Sequence, residues 1–130
     1  MSELIPGLKA ETEITVTETD TAARWGSGLV PVYSTPALVG QIENTAVVAL
    51  TGQLPAGQTT VGGRIDVRHL APTPVGMKVR AAAELVEVEG RKLVFKIEAW
   101  DAVEKIGEAT HERFIIDEAK FMARVQAKGK

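Results

Sequence analysis

Three side chains combine a reactive group with an unusual setting. Glu43 lies in STPALVGQIENTAVVALTGQ, residues 34–53, between Ile42 and Asn44. A carboxylate in so apolar a segment costs free energy unless it is paired, solvated in a pocket or protonated. It therefore reads as a carboxylate facing an active-site cleft. The plainer alternative puts it on one wet stripe of a helix with Gly40 and Val47. His69 shares strand parity with Ile65 and Val67 and precedes Leu-Ala-Pro-Thr-Pro, which places it near a strand end where a pocket can open. Its alternative is a core histidine with both nitrogens satisfied. Thr35 opens the apolar segment and suits a helix cap. A cap is compatible with chemistry, because the free N–H groups of a helix start also stabilise developing negative charge. A carboxylate, an imidazole and a hydroxyl together suit acid–base work near neutral pH.

The other chemistries are poorly served. The chain has no cysteine, which removes disulfides, thiolate metal sites and cysteine nucleophiles together. Its two histidines, His69 and His111, are 42 positions apart, and no HExxH or other metal-ligand spacing occurs. Gly26-Ser27-Gly28 is not a nucleophile elbow, and there is no P-loop or GxGxxG. Lys120, Arg124 and Lys128 recur at helical spacing. Such a row is ordinarily a solvated face, with the phosphates of an anionic ligand as the alternative. His111 lies between Thr110 and Glu112, with Arg113 two residues on. That charged neighbourhood suits a structural hydrogen bond or an interface contact better than a cleft.

The elements that must position these groups follow from periodicity. Residues 12–18 alternate as a half-buried strand, and 19–33 read as irregular, broken by Gly26, Gly28 and Pro31. Residues 34–53 read as a helix capped by Ser34 or Thr35, with Pro36 in its first turn and Gly52 at its end. Leu38, Ile42, Thr45 and Ala49 form one stripe, with Val39, Ala46 and Leu50 beside it. A helix so nearly apolar all round should be enclosed by other structure. Strands follow over 59–71, 77–89, 91–100 and 105–116. The shift of parity at Val86 and Val88 predicts a bulge or strong twist. A helix over 117–127 closes the chain, with Phe121 and Val125 on one stripe. The order predicts an α+β fold, a twisted antiparallel sheet wrapped around one apolar helix. Such a sheet has edges open to pairing with a second copy, so a homodimer or dimer of dimers is expected.

At 130 residues the chain is expected to be one domain, 1–130, with 45% hydrophobic and 25% charged residues. A net charge of −2 gives no electrostatic reason to expect nucleic acid as a partner. No apolar run approaches the roughly 20 residues that span a bilayer. The first residues, MSELIPGLKAETEI, lack a basic region followed by an apolar stretch, so no signal peptide and a cytoplasmic, soluble protein are expected.

The segments STPALVGQIE, VGGRIDVRHLAPTPVGMKV and VEGRKLVFKIEAWDAVEKIGEATHERFIID carry a resemblance. They cover about two thirds of the chain, and HLAPTPVG and GEATHER are the most specific pieces. The sequence resembles hotdog-fold acyl-CoA thioesterases, and within them the fluoroacetyl-CoA thioesterase-like group. The resemblance implies a hotdog fold, a catalytic set of Thr35, Glu43 and His69, and Gly62 as the glycine that shapes the acyl pocket. It implies hydrolysis of a small acyl-CoA with no cofactor beyond the CoA of the substrate. It also implies a dimer joined sheet edge to sheet edge, with the sites near the interface. Segment 19–33 would lie over the acyl pocket, with Tyr33 as a substrate-binding group. That segment contains no phenylalanine, and its bulky residues are Trp25, Leu29, Val32 and Tyr33, so selectivity for a fluorinated acyl group is not carried over.

The residue types fit thioester hydrolysis. A thioester is already electrophilic and needs a positioned oxygen nucleophile, a proton acceptor and donors to the carbonyl oxygen. Glu43 would attack directly or activate water, His69 would relay a proton or polarise the carbonyl, and Thr35 would orient Glu43 or the nucleophile. The competing expectation is a hotdog that binds an acyl-CoA or related metabolite without turnover. A hotdog hydratase would need an Asp/His pair, and none occurs near 34–43.

Overall fold

The computed structural model describes residues 4–129; residues 1–3 and 130 lie outside the described part. The sheet runs in the order β1-β3-β4-β5-β2, every neighbouring pair antiparallel. Its strands are β1 (Lys9–Thr15), β2 (Gln58–His69), β3 (Lys78–Glu89), β4 (Lys92–Trp100) and β5 (Lys105–Asp117). The helices are α1 (Ala22–Trp25), α2 (Thr35–Ala49) and α3 (Glu118–Lys128).

Period-two alternation sets the inner face of the sheet. Val79, Ala81, Ala83 and Leu85 of β3, and Leu93, Phe95, Ile97 and Ala99 of β4, are all 3% exposed or less. Burying each of the larger side chains stabilises the fold by about 1.5–3 kcal/mol. Leu38, Ile42, Thr45, Ala46 and Ala49 of α2 fill the concave side of the sheet. The expected bulge in β3 is present, where the register against β4 shifts between Leu85 and Glu87.

Four local expectations change. α2 ends at Ala49 with Leu50 as its cap, and Gly52, at φ 75°, turns the chain afterwards. α2 is not enclosed all round, because Gly40, Asn44, Val47 and Val48 are exposed while its opposite face is buried. Segment 19–33 is not structureless. It holds a 3-10 turn at Glu18–Asp20 and α1, and is tied down by Ser34 N–H to the Asp20 carbonyl (2.9 Å) and Tyr33 N–H to the Thr73 carbonyl (2.9 Å). α3 buries no residue and leaves Val125 46% exposed, so its stripe is not part of the core. Its start is fixed by Asp117, whose carboxylate accepts from Lys120 N–H at 3.0 Å.

Candidate active site

α2 begins at Thr35, but the cap is Ser34, whose hydroxyl accepts from Ala37 N–H at 3.1 Å. That leaves the Thr35 hydroxyl free for another partner. It lies 2.8 Å from Nδ1 of His69, the last residue of β2. The other ring nitrogen, Nε2, is buried and has no hydrogen-bond partner among the described residues. Burial pushes the His69 imidazole below the usual histidine range, with the Ala71 backbone partly opposing it. The neutral ring, tied to a hydroxyl on one side and free on the other, is equipped to move a proton.

Glu43 belongs to a second cluster. A Cβ built on Gly62 would stand 3.1 Å from Glu43 Oε2, 3.3 Å from His111 Cε1 and 3.5 Å from Arg113 Nη1. Glu43 is half-buried on the open stripe of α2, beside exposed Gly40, Asn44 and Val47. The wet-stripe alternative thus describes its place in one chain, yet that stripe borders a group of buried polar side chains. β5 supplies them, since Arg113 pairs with Gly62 and His111 with Ile65 across the β2–β5 ladder. A register shift between Gly62 and Arg64 locally distorts β2 here. Next to it, the Phe114 ring occupies the place of any side chain at position 63, so a larger residue there would displace the ring.

The chain therefore brings together Thr35 with His69, and Glu43 with Gly62, but it does not bring the two pairs to each other. Thr35 and Glu43 are eight residues apart on α2, roughly 12 Å of helix rise. His69 and Gly62 are seven residues apart on β2, roughly 23 Å of strand. Tyr33 joins neither pair. It is 1% exposed, and its hydroxyl donates to Gln41 Oε1 at 2.7 Å. Gln41 in turn donates to the Val79 carbonyl at 3.1 Å. Burial, and after it the Asp20 charge, raises the Tyr33 phenol above its usual range. Tyr33 ties segment 19–33 to α2 and the core.

On sequence His111 read as a structural hydrogen bond or interface contact, and Arg113 entered only as its neighbour. Both have inward parity on β5, and an inward arginine opposite a glycine was the readable signal. Lys120, Arg124 and Lys128 are all exposed on α3. A concavity of about 720 Å³ lies on the far side of the sheet from α2, among Lys9, Arg68, Arg80, Lys96 and Trp100. It contains none of the candidate residues. Its charges partly pair with one another, Arg80 with Glu11 at 3.3 Å and Lys105 with nearby Glu98 at 2.6 Å, so it reads as a solvated sheet face. Among the described residues no cluster of three or more His, Asp or Glu is arranged for a metal ion, and no helix is long and apolar enough to cross a membrane.

Residues 16–119 match the family described as fluoroacetyl-CoA-specific thioesterase, FlK. A fluoroacetyl-CoA thioesterase of Streptantibioticus cattleyicolor is 42% identical over 97 residues, 75% of this chain and 70% of that protein. A solved structure of the fluoroacetyl-CoA thioesterase FlK superposes with a TM-score of 0.92 at 33% identity, covering 98% of each chain. A mutant of that enzyme in complex with fluoroacetate and CoA gives a TM-score of 0.86 at 33% identity, covering 91% of this chain and 99% of its own.

Proposed function

The chain belongs to the fluoroacetyl-CoA-specific thioesterase family, and from that premise we propose that it hydrolyses the thioester of a small acyl-CoA to the free acid and CoA. The observation that carries this reading is the His69 ring, tied to Thr35 at Nδ1 and unpartnered at its buried Nε2. A buried imidazole nitrogen without a partner costs about 1–3 kcal/mol in a finished structure. A substrate or water that bonds to it recovers that energy in the complex. His69 and Thr35 move the proton, Glu43 activates water or attacks the carbonyl carbon, and Gly62 leaves room for the acyl group. With water as nucleophile the tetrahedral intermediate expels the CoA thiolate and leaves the free acid; with Glu43 as nucleophile the same collapse leaves an acyl-Glu43 anhydride, which water then cleaves to the acid and the free carboxylate, and in both cases the proton taken from water ends on the thiolate. CoA enters as part of the substrate, and the reaction needs no other cofactor. A CoA thioester is a metabolite of the cell interior, which supports a cytoplasmic enzyme.

The separation of the two pairs supports a homodimer with a composite site. β2 is an edge strand whose outer side has no strand partner among the described residues. Two copies of β2 paired antiparallel about a twofold axis near the middle of the strand bring the His69 end of one copy beside the Gly62 region of the other. Strands so paired lie about 5 Å apart, which brings the partner's Glu43 toward Thr35 and His69. The same pairing removes an open sheet edge and covers the exposed stripe of α2.

One preparation tests both statements. Steady-state hydrolysis is measured on short acyl-CoAs, for the wild type and for a doubly tagged heterodimer of Glu43→Gln with His69→Ala. A composite site gives the heterodimer one intact and one doubly defective site, hence about half the wild-type rate. A site within one chain gives an inactive heterodimer. A wild type that binds acyl-CoA without turnover is the binding protein of the competing reading.

A further inference from the structure

His111, Arg113 and Thr60 form a closed network that the hydrolytic reading does not use. Arg113 is 7% exposed and His111 1%. The guanidinium donates from Nε to the Thr60 hydroxyl (2.8 Å), from Nη2 to the Thr60 carbonyl (3.1 Å) and from Nη1 to His111 Nε2 (3.2 Å). An arginine only donates, so His111 Nε2 is the acceptor. The ring proton therefore sits on Nδ1 and is donated to the Arg64 carbonyl at 2.8 Å. The imidazole is held neutral, in one tautomer, between the β2 backbone and the guanidinium. Burial is the main reason its pKa is lowered; the Arg64 carbonyl works against that, and the Arg113 charge adds to it.

This network faces Glu43. The guanidinium carries a permanent charge into a buried place, and Glu43 is the acidic group that offsets it. The two do not form an ion pair within 4 Å among the described residues; they approach each other from two sides of Gly62. Three of the five guanidinium N–H groups are occupied by Thr60 and His111, which leaves two for this side. The absent side chain of Gly62 is what allows a carboxylate and a guanidinium to share the space.

Building on the thioesterase reading, we infer that Arg113 and His111 are positioning residues for Glu43: the guanidinium, locked to Thr60, holds the carboxylate over Gly62, and neutral His111 keeps the guanidinium in place. Neither residue need touch the reacting atoms. Protonation of His111 would destroy the arrangement, since Nε2 would then present a proton to Arg113. The charged groups that act on the ring are Arg113 and Glu112 on β5 and Glu43 on α2, with Arg64 of β2 contributing its backbone carbonyl, and Arg113 is the one that donates to the nitrogen that must stay unprotonated.

The test uses Arg113→Met, Arg113→Lys and Thr60→Val, each confirmed as folded and of wild-type oligomeric state. Expected for Arg113→Met is a fall in kcat of about ten- to a hundredfold with KM within threefold. Arg113→Lys, which keeps the charge and loses the fork, recovers part of that, and Thr60→Val gives a smaller fall of the same kind. If Arg113→Met does not fold, the same kcat-against-KM split in the Lys and Val variants carries the test. A measurement independent of turnover accompanies it: the side-chain scalar couplings of labelled Glu43, identified by loss in Glu43→Gln. These should report one rotamer in the wild type and averaging in the Arg113 variants. Averaged couplings in a protein with no hydrolytic rate would uphold the positioning and sink the thioesterase reading. A single Glu43 rotamer in the Arg113 variants, or an unchanged kcat in an active enzyme, would overturn the positioning.

Discussion

His69 and His111 mark two regions that burial treats alike and bonding treats differently. Both imidazoles are driven toward the neutral form by burial. In the middle of β5, both nitrogens of His111 are satisfied, by the Arg64 carbonyl and by Arg113. At the end of β2, His69 bonds Thr35 through Nδ1 and feels the Ala71 backbone, and its Nε2 has no hydrogen-bond partner among the described residues. A fully bonded imidazole has no proton or lone pair left for a substrate, whereas one with a free nitrogen keeps its reactivity at a cost in stability. The closed network has the bonding of scaffolding, and the open ring is the one the proposed hydrolysis uses.

Glu43 sits against the closed network, so its variants test that division hardest. Glu43→Gln should lower turnover by about 10² or more, the usual scale for losing a positioned acid–base group, with folding intact by circular dichroism. A folded Glu43→Gln with near wild-type hydrolysis would remove the carboxylate from the mechanism. His69→Ala should lower kcat/KM by about 10² in a folded protein, since it deletes the free Nε2 and the Thr35 contact. The comparison inverts if His69→Ala keeps its activity while folded, dimeric His111→Ala is dead.

His111→Ala should act mainly on stability. It leaves the Arg64 carbonyl and an Arg113 N–H without partners and opens a cavity between β2 and β5, a loss of about 2–4 kcal/mol read from urea midpoints. A loss below about 0.5 kcal/mol would show that the network supports nothing. The smallest expected effect is on pH. An unfolded histidine titrates near 6.5, and both native rings titrate lower. Below about pH 6.5 the unfolded chain binds protons that the native state refuses, so stability is full above that pH and falls as pH drops toward the native values. Urea midpoints at pH 7.5 and 5.5 should show the fall, and His111→Gln should flatten part of it. A steeper fall in His111→Gln than in the wild type would assign the titration to other groups.

The strands were legible because their signal is local. Val79 to Leu85 and Leu93 to Ala99 alternate in sequence as they do in burial, and the β3 bulge announced itself as a break in that alternation. The buried stripe of α2 was legible for the same reason. The α2 surface was not, because apolar content all round a helix does not say which covering belongs to the same chain. Tyr33, expected from the resemblance as a substrate-binding group, is buried with its hydroxyl on Gln41, a contact between segment and helix that no local pattern shows. Ser34 and Thr35 were equal as caps on sequence, and the choice of Ser34 releases Thr35 to His69.

By itself the sequence determined the α+β order, the inner face of each strand, and Thr35, Glu43 and His69 as the side chains to watch. Each of these follows from residue type and short-range periodicity, which survive without knowledge of the partners. Only the tertiary structure decided which groups meet. It paired Arg113 with Gly62 and His111 with Ile65, closed a network around Thr60, and set Glu43 apart from Thr35 and His69. Parity is a property of one strand, whereas register is a property of two, fixed by the packing of the whole sheet against α2. A one-residue slip between β2 and β5 would turn that network to the other face, so no reading of either strand alone could have placed it.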